Sequence, residues 1–179
     1  MNGCSKSIDI LRAAIDAGIT IDLDCLEEIY RTEAVAKELN KKAYVNVRCR
    51  LPLAKVHMEH YVDPRYKDGI DGAEWERTMK FGNEPPQAIE CFKYALQSDY
   101  LNVVGAMYHG GIPRRVGFHV EELEELLDEI KVVHDMTGWS PEMVDIGGGF
   151  TPYRYGNEFE CPSLEQYAED ITGLFIRKF

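Results

Sequence analysis

Apolar residues recur along the chain in two patterns, one with a period of three to four residues and one as short unbroken runs. The first pattern predicts amphipathic helices and the second predicts buried strands. Short apolar runs occupy residues 19–23, 43–49, 101–109 and 143–146, and a segment with helical spacing follows each of them. A further helical segment, residues 7–17, precedes the first run. The sequence therefore predicts four strands that alternate with helices.

Residues with capping character mark the starts of several predicted helices. Asp24 with Glu27 three residues later resembles a capping box that opens the second helix. Ser163 with Gln166 resembles another that opens the last helix. The Pro85-Pro86 pair is typical of a first helical turn, where a missing N–H does no harm.

Strands that alternate with helices imply a parallel sheet in an α/β fold. A complete (β/α)₈ barrel needs roughly 250 residues, so the 179 residues of this chain can supply about half of one. Residues 51–83 show no sustained period, which predicts an irregular insertion or loop. From the residues alone, either an open doubly wound sheet or a truncated barrel fits the pattern.

Charge and cysteine content narrow the class of protein. The chain is 45% hydrophobic and carries 31 acidic against 20 basic residues, a formal net charge of −11. Its field repels nucleic-acid phosphates and anionic lipids, so neither nucleic acid nor membrane is expected as a partner. Five widely spaced cysteines without a Cys-x-x-Cys pair favour reduced thiols in a cytoplasmic protein. The acidic run Glu121 to Glu129, interleaved with leucines, predicts a solvated helix face.

Three groups with possible chemistry follow successive predicted strands: Arg48, His109 and the run Gly147, Gly148 and Gly149. Barrels and open α/β sheets both bind ligands at this edge. The glycine run suits either a phosphate-binding nest or a tight turn. His109 could stack on a planar ligand, act as an acid or base, or be a hydrogen-bonded core residue. Arg48 could bind an anion or pair with a carboxylate.

A metal site is not predicted. His57 and His60 are three residues apart in a loop, whereas a metalloprotease helix spaces its histidines by four. No further ligand set accompanies them in the sequence.

Seven short motifs appear in a fixed order over nearly the whole chain except residues 51–77. They are NG-x-x-KS (Asn2–Ser7), DLDCLEEI (Asp22–Ile29), VNVR (Val45–Arg48), KFG (Lys80–Gly82), VVGAMYHGG (Val103–Gly111), VDIGGGF (Val144–Phe150) and PSLEQYAEDI (Pro162–Ile171). Together they resemble the N-terminal barrel of the ornithine, diaminopimelate and arginine decarboxylase family of fold type III.

The resemblance implies a pyridoxal 5′-phosphate site in a partial (β/α)₈ barrel that spans residues 1–179. In such a site Gly147, Gly148 and Gly149 would hold the cofactor phosphate, His109 would stack on the pyridine ring, and Arg48 would lie near the cofactor. The KFG triplet would shape the pocket. The resemblance also implies a decarboxylase that is a cytoplasmic homodimer at full length and acts on a basic amino acid: ornithine, diaminopimelate or arginine.

Departures from the family pattern bear on activity. Ile112 stands where the family usually has a serine that supports the phosphate. The Schiff-base lysine is expected upstream of the NG-x-x-KS match and the C-terminal β domain beyond Phe179, so the isolated chain is expected to be inactive. Two alternatives stay open: an inactive, decarboxylase-like protein that binds a partner, as the antizyme inhibitors do, and an unrelated phosphate-binding α/β enzyme.

Overall fold

The computed structural model of the chain describes residues 1–51, 80–109, 118–149 and 162–178. These residues form two compact units. The first unit holds Met1–Arg50, Lys80–Tyr108 and Glu129–Asp145, and the second holds the remaining described residues.

Helices and strands alternate along the described chain. The elements are α1 (Ile8–Asp16), β1 (Ile21–Leu23), α2 (Leu26–Glu38), β2 (Ala43–Arg48), α3 (Pro85–Gln97), β3 (Leu101–Met107), α4 (Phe118–Thr137), β4 (Met143–Asp145) and α5 (Leu164–Lys178). Each predicted strand is present, shortened by up to two residues at an end. Within the described ranges, none of the helices combines the length and hydrophobicity that a transmembrane span needs.

The four strands form one parallel sheet in the first unit, in the order β1-β2-β3-β4. Strands that are consecutive in the sequence are therefore also neighbours in the sheet. A doubly wound sheet reverses its strand order at one point, whereas a barrel keeps it sequential. The observed order is that of a barrel, and four strands correspond to half of an eight-stranded one.

The close pairing of β3 with β4 depends on Gly105. A Cβ atom at this position would overlap the main-chain carbonyl oxygen of Met143 and would lie 3.0 Å from Oδ1 of Asn46. The side chain of Asn46 cannot easily move away, because its Nδ2 donates a buried hydrogen bond to Oδ1 of Asp22 at 2.9 Å. Only glycine therefore fits at this position of β3, which lies between β2 and β4.

Two of the predicted helix starts have the predicted form, at least in part. Pro85 begins α3, and Oγ of Ser163 accepts a hydrogen bond from the N–H of Gln166 at 3.2 Å. The Gln166 side chain does not complete the capping box, because it donates to Asp170 instead.

The predicted cap of the second helix is wrong. Cys25 is the N-cap residue of α2 and makes no side-chain cap bond. The carboxylate of Asp24 is turned instead toward Arg48, with 3.0 Å between Oδ1 and Nη1. The guanidinium carries a full positive charge that main-chain N–H groups lack, so the buried ion pair takes precedence over the helix cap.

The acidic run on α4 is not a uniformly solvated face, so that prediction is also wrong. Glu122 and Glu129 are buried. Burial raises the pKa of the Glu129 carboxyl to about 7, and the nearby Cys49 thiol acts in the opposite direction. The same burial holds the pKa of the Cys49 thiol well above its ordinary range. Glu129 is therefore neutral below pH 7 and charged above it.

Replacement of Glu129 by glutamine should flatten the pH dependence of stability. The pKa of the Glu129 carboxyl is higher in the folded chain, about 7, than its unfolded value of 4.5. Its contribution to the free energy of unfolding is therefore fully present below pH 4.5 and is lost as the pH rises to about 7. The loss amounts to about 3 kcal/mol in the free energy of unfolding. Urea titrations at pH 5 and pH 8 measure it: Glu129→Gln should gain about that much over the unmodified chain at pH 8 and little at pH 5.

Glu38→Gln is the control, since it also removes one carboxylate but from an exposed position on α2. It should leave the difference between the two pH values unchanged. An equal pH dependence in Glu129→Gln and the unmodified chain would contradict the account of this residue.

Candidate functional site

Five charged side chains are buried where the first two strands of the sheet end. We refer to them as the buried charge cluster. It consists of Lys6, Asp22, Asp24, Glu28 and Arg48, none of which is more than 6% exposed. Charges this deep are tolerated only when each has a partner of opposite charge and further hydrogen bonds.

Asp24 and Arg48 form the ion pair at the centre of the cluster. Asp24 directly follows β1, Arg48 ends β2, and the two strands run parallel, so both residues emerge at the same edge. Oδ1 of Asp24 accepts from Nη1 of Arg48 and from the main-chain N–H of Gly82, each at 3.0 Å. The guanidinium group lies over the ring of Phe81, 4.6 Å from its centroid. The pair therefore also binds the KFG segment to the sheet edge.

Arg48 keeps donors beyond this pair. Its Nη1 also donates to Oδ1 of Asn2 at 3.1 Å. Among the residues that the structure describes, only Nη1 has oxygen partners, so Nη2 and Nε are left with N–H groups to offer. A guanidinium with a fixed plane and two available donors is suited to binding an anion.

Lys6 and Glu28 form the second pair of the cluster. Nζ of Lys6 lies 2.8 Å from Oε2 of Glu28 and 2.5 Å from the carbonyl oxygen of Asp22. Glu28 is fully buried on α2 and also accepts from the main-chain N–H groups of Lys6 and Asp24. Its carboxylate joins the segment before α1 to the end of β1.

Asp22 completes the cluster from within β1. Burial raises the pKa of its carboxyl, and the hydrogen bond from Asn46 acts in the opposite direction. With Asp24 and Glu28 it gives three carboxylates against Lys6 and Arg48, and the N-terminal ammonium of Met1 lies 3.7 Å from Oδ2 of Asp22 as a third cation.

Glycine is required at the end of the KFG triplet. Gly82 has a φ of +72°, and a Cβ atom there would lie 3.0 Å from the carbonyl oxygen of Cys49. The next residue, Asn83, forms a parallel bridge with Cys49, and its N–H donates to the carbonyl oxygen of Arg48. The triplet is thus held in place at the C-terminal end of β2.

Arg50, which the alternation of residues along β2 groups with Arg48, has a separate partner. Its Nη2 lies 2.9 Å from Oε1 of Glu84, which is half exposed. The two arginines are bound to different carboxylates, Arg48 to a buried one and Arg50 to one near the surface.

The second unit brings His109 together with the glycine turn of Gly147–Gly149. The N–H of Gly148 donates to Nδ1 of His109 at 3.2 Å. An Nδ1 that accepts a hydrogen bond leaves the ring proton on Nε2, so this bond sets the tautomer as well as the ring orientation. The imidazole is exposed rather than buried in a core.

The glycine turn has the backbone that the glycines were predicted to provide. Gly147 and Gly149 have φ values of +68° and +90°, a region that side chains disfavour. Turns of this kind direct successive N–H groups toward one side, where an anion can bind.

The predicted site residues therefore fall in both units. His109 and Gly148 are in contact within the second unit, and Arg48 belongs to the first, where it pairs with Asp24. Gly110, Gly111 and Ile112 lie outside the described residues, as do His57 and His60.

Lys6, Asp24 and Glu28 were not predicted as site residues. The Asp22-x-Asp24 spacing at a strand end was the available signal, since a strand places both carboxylates on one face.

Comparisons with known proteins point to one family. The family described as "Pyridoxal-dependent decarboxylase, pyridoxal binding domain" matches residues 1–178. Diaminopimelate decarboxylase of Campylobacter jejuni is 30% identical over 174 residues, which cover 95% of this chain and 40% of that protein. The chain thus spans about 40% of the length of such curated relatives.

Solved structures agree with the predicted fold. The crystal structure of diaminopimelate decarboxylase from M. jannaschii matches with a TM-score of 0.79 and 26% identity, over 98% of this chain and 38% of that one. The same enzyme in complex with L-lysine matches with a TM-score of 0.77 and 25% identity, over 97% and 38% of the two chains. The predicted partial barrel is confirmed.

Replacement of Asp24 by asparagine should destabilise the first unit strongly. The change keeps the shape of the side chain but leaves Arg48 buried without its carboxylate, which costs about 3 kcal/mol or more in the free energy of unfolding. Asp16→Asn is the matched control, because it breaks an exposed ion pair of 2.7 Å with Lys41 and should cost less than about 1 kcal/mol. Urea unfolding of both variants measures the difference. Equal costs would show that the buried pair does not hold the strand ends together.

Proposed function

Because the chain belongs to the pyridoxal-binding domain family of the pyridoxal-dependent decarboxylases, we propose that it supplies the coenzyme-binding part of a decarboxylase that acts on a basic amino acid. The match to the pyridoxal-binding domain confirms the predicted cofactor, pyridoxal 5′-phosphate. When bound, this coenzyme supplies a ring that accepts the electron pair left behind when carbon dioxide leaves an amino acid. The residues of this chain contribute binding and orientation.

The bond between Gly148 and His109 is the observation that carries the proposal. It fixes the imidazole, which follows β3 in the sequence, against the turn that follows β4. A flat ring and a row of backbone N–H groups held together in this way match the two parts of the coenzyme. The imidazole packs on the pyridine ring. The phosphate binds to N–H groups of the glycine turn other than that of Gly148, which already donates to His109.

Arg48 is the third contributor. Its guanidinium has a fixed plane over Phe81, and its Nη2 and Nε donors are not used by the described residues. Donors of this kind suit an anion, and the family resemblance is what supports Arg48 as a coenzyme-binding residue. The ion pair with Asp24 keeps the group from moving when the anion binds.

The substrate is proposed to be diaminopimelate. Support comes from the curated relatives and the solved structure in the comparisons, which are named as diaminopimelate decarboxylases. That enzyme from M. jannaschii has also been crystallised with L-lysine, the amino acid that remains when diaminopimelate loses one carboxylate as carbon dioxide.

Pyridoxal phosphate should bind the chain saturably, and substitutions in the second unit should weaken it. His109→Ala removes the ring that packs on the pyridine, and Gly147→Ala forces a side chain into a backbone with a φ of +68°. Each should raise the dissociation constant about tenfold, the loss expected for one ring contact or one set of phosphate bonds. Coenzyme fluorescence titrations measure it.

Gly138→Ala is the matched control for Gly147→Ala. Gly138 has a similar φ of +73° after α4 but lies in the first unit, with no atom within 4 Å of the position that a Cβ would occupy. It should carry the same backbone strain and leave the dissociation constant unchanged. Equal affinities in all four proteins would contradict the assignment of the site.

The substrate proposal is tested with the product of the whole gene. Release of carbon dioxide from diaminopimelate, ornithine and arginine is measured at equal concentrations in the presence of pyridoxal phosphate. Diaminopimelate should be turned over at least about a hundredfold faster, because a site built to bind a second carboxylate at the far end of the substrate rejects substrates that end in an amine or a guanidinium. Faster release from ornithine or arginine would contradict the proposed substrate.

A further inference from the structure

A cleft opens between α2 and α3 at the end of the sheet where β2 and β3 begin. Its volume is about 440 Å³, within the range of small-molecule sites, roughly 300–1,000 Å³. Tyr100 lines it, and the carbonyl oxygen of Tyr100 accepts from the N–H of Ala43, the first residue of β2, at 2.9 Å. All the lining residues belong to the first unit. The buried charge cluster lies where β1 and β2 end, so the cleft is separate from it.

Two tyrosine rings form one wall of the cleft. Tyr30 of α2 and Tyr94 of α3 meet edge to face, with 4.7 Å between their ring centroids. Their side chains are not buried, since Tyr30 is 44% exposed and Tyr94 is 37% exposed. The face of a tyrosine ring attracts a cation that comes within about 6 Å of its centroid. The tyrosine pair therefore offers a surface on which an organic cation can bind.

Glu33 is held beside this pair by hydroxyl groups. Its Oε2 accepts from the hydroxyl of Tyr94 at 2.6 Å, and its Oε1 accepts from the hydroxyl of Ser98. The hydrogen bond to Glu33 raises the pKa of Tyr94 to about 12, so the phenol keeps its proton and remains a donor. A carboxylate has about four acceptor positions, and the two hydroxyls use only two of them. Glu33 can therefore also accept from a bound ammonium.

Lys37 and Asp99 bring further charges to the lining of the cleft. Lys37 follows Glu33 by four residues on α2, a spacing that favours an ion pair along a helix. That ion pair is not formed, because the hydroxyls on the α3 side hold Glu33. Among the residues that the structure describes, neither Lys37 nor Asp99 has an ion-pair partner. The cleft thus offers two carboxylates and one ammonium to a ligand.

We infer that this cleft is a second binding site, specific for a free basic amino acid. Such a molecule carries two positive groups and one carboxylate, the complement of the charges in the lining. One ammonium binds Glu33 against the tyrosine pair, the carboxylate pairs with Lys37, and the second positive group is attracted by Asp99. The inference does not rest on the proposed function, because no residue of the cleft takes part in the coenzyme contacts above.

Calorimetric titrations of the coenzyme-free chain with two probes test the inference. L-Lysine has all three charged groups, and cadaverine is the same molecule without its carboxylate. The variants are Glu33→Gln and Lys37→Met, each of which removes one charge from the cleft. The matched controls are Glu38→Gln and Lys41→Met, which remove exposed charges whose ion pairs lie outside the cleft.

The two variants should differ in the probes that they affect. Lys37→Met should raise the dissociation constant for L-lysine about tenfold, the loss expected for one charge-assisted hydrogen bond, and leave that for cadaverine unchanged. Glu33→Gln should raise both constants about tenfold, since both probes carry the ammonium that Glu33 binds. The controls should change neither constant.

Other outcomes would overturn the inference. If L-lysine does not bind saturably, or binds with the same affinity in every variant, the cleft is not its site. If Lys37→Met leaves the affinity for L-lysine unchanged while Glu33→Gln weakens both probes, the cleft takes a lone ammonium, such as a lysine side chain of another protein, and not a free amino acid. Pyridoxal phosphate is absent from these titrations, so a failure of the proposed function would leave their result unaffected.

Discussion

The ion pair between Asp24 and Arg48 is the interaction on which the first unit depends. It joins the ends of two parallel strands at one edge of the sheet. Gly82 donates to the same carboxylate and Phe81 packs on the same guanidinium, so the KFG segment is held by both partners. Lys6 and Glu28 extend the network to the segments around α1 and α2. Such a buried arrangement is stable only as a complete set.

Much of the fold could be predicted from the sequence because each element has a strong local signal. Unbroken apolar runs defined the four strands, and Pro85 and Ser163 marked helix starts that the structure contains. The sequential strand order could not be predicted from periodicity, which fits a barrel and a doubly wound sheet equally well. The family resemblance and the observed pairing decided for the barrel.

The local rules failed where tertiary contacts are stronger than local ones. Asp24 has the spacing of a helix cap, but its charge is used by Arg48, a residue 24 positions away. Glu129 lies in an acidic run whose sequence pattern is that of a solvated helix face, yet its side chain is buried. Helical period does not reveal which of several carboxylates points inward. Of the candidate site, the contact of His109 with the glycine turn was expected from their places after neighbouring strands, whereas the pairing of Arg48 with Asp24 shows only in the side-chain geometry.

His109 and the glycine turn are proposed to bind pyridoxal phosphate together. The most direct measurement is a ¹⁵N-resolved NMR titration of the chain with the coenzyme, with signals assigned for the main-chain amides of Gly147–Gly149 and the ring nitrogens of His109. The largest shifts should occur at the main-chain amides of Gly147–Gly149 and at the His109 ring, and these shifts should saturate at the same coenzyme concentration. Saturating shifts confined to other parts of the chain, or no shifts at all, would contradict it.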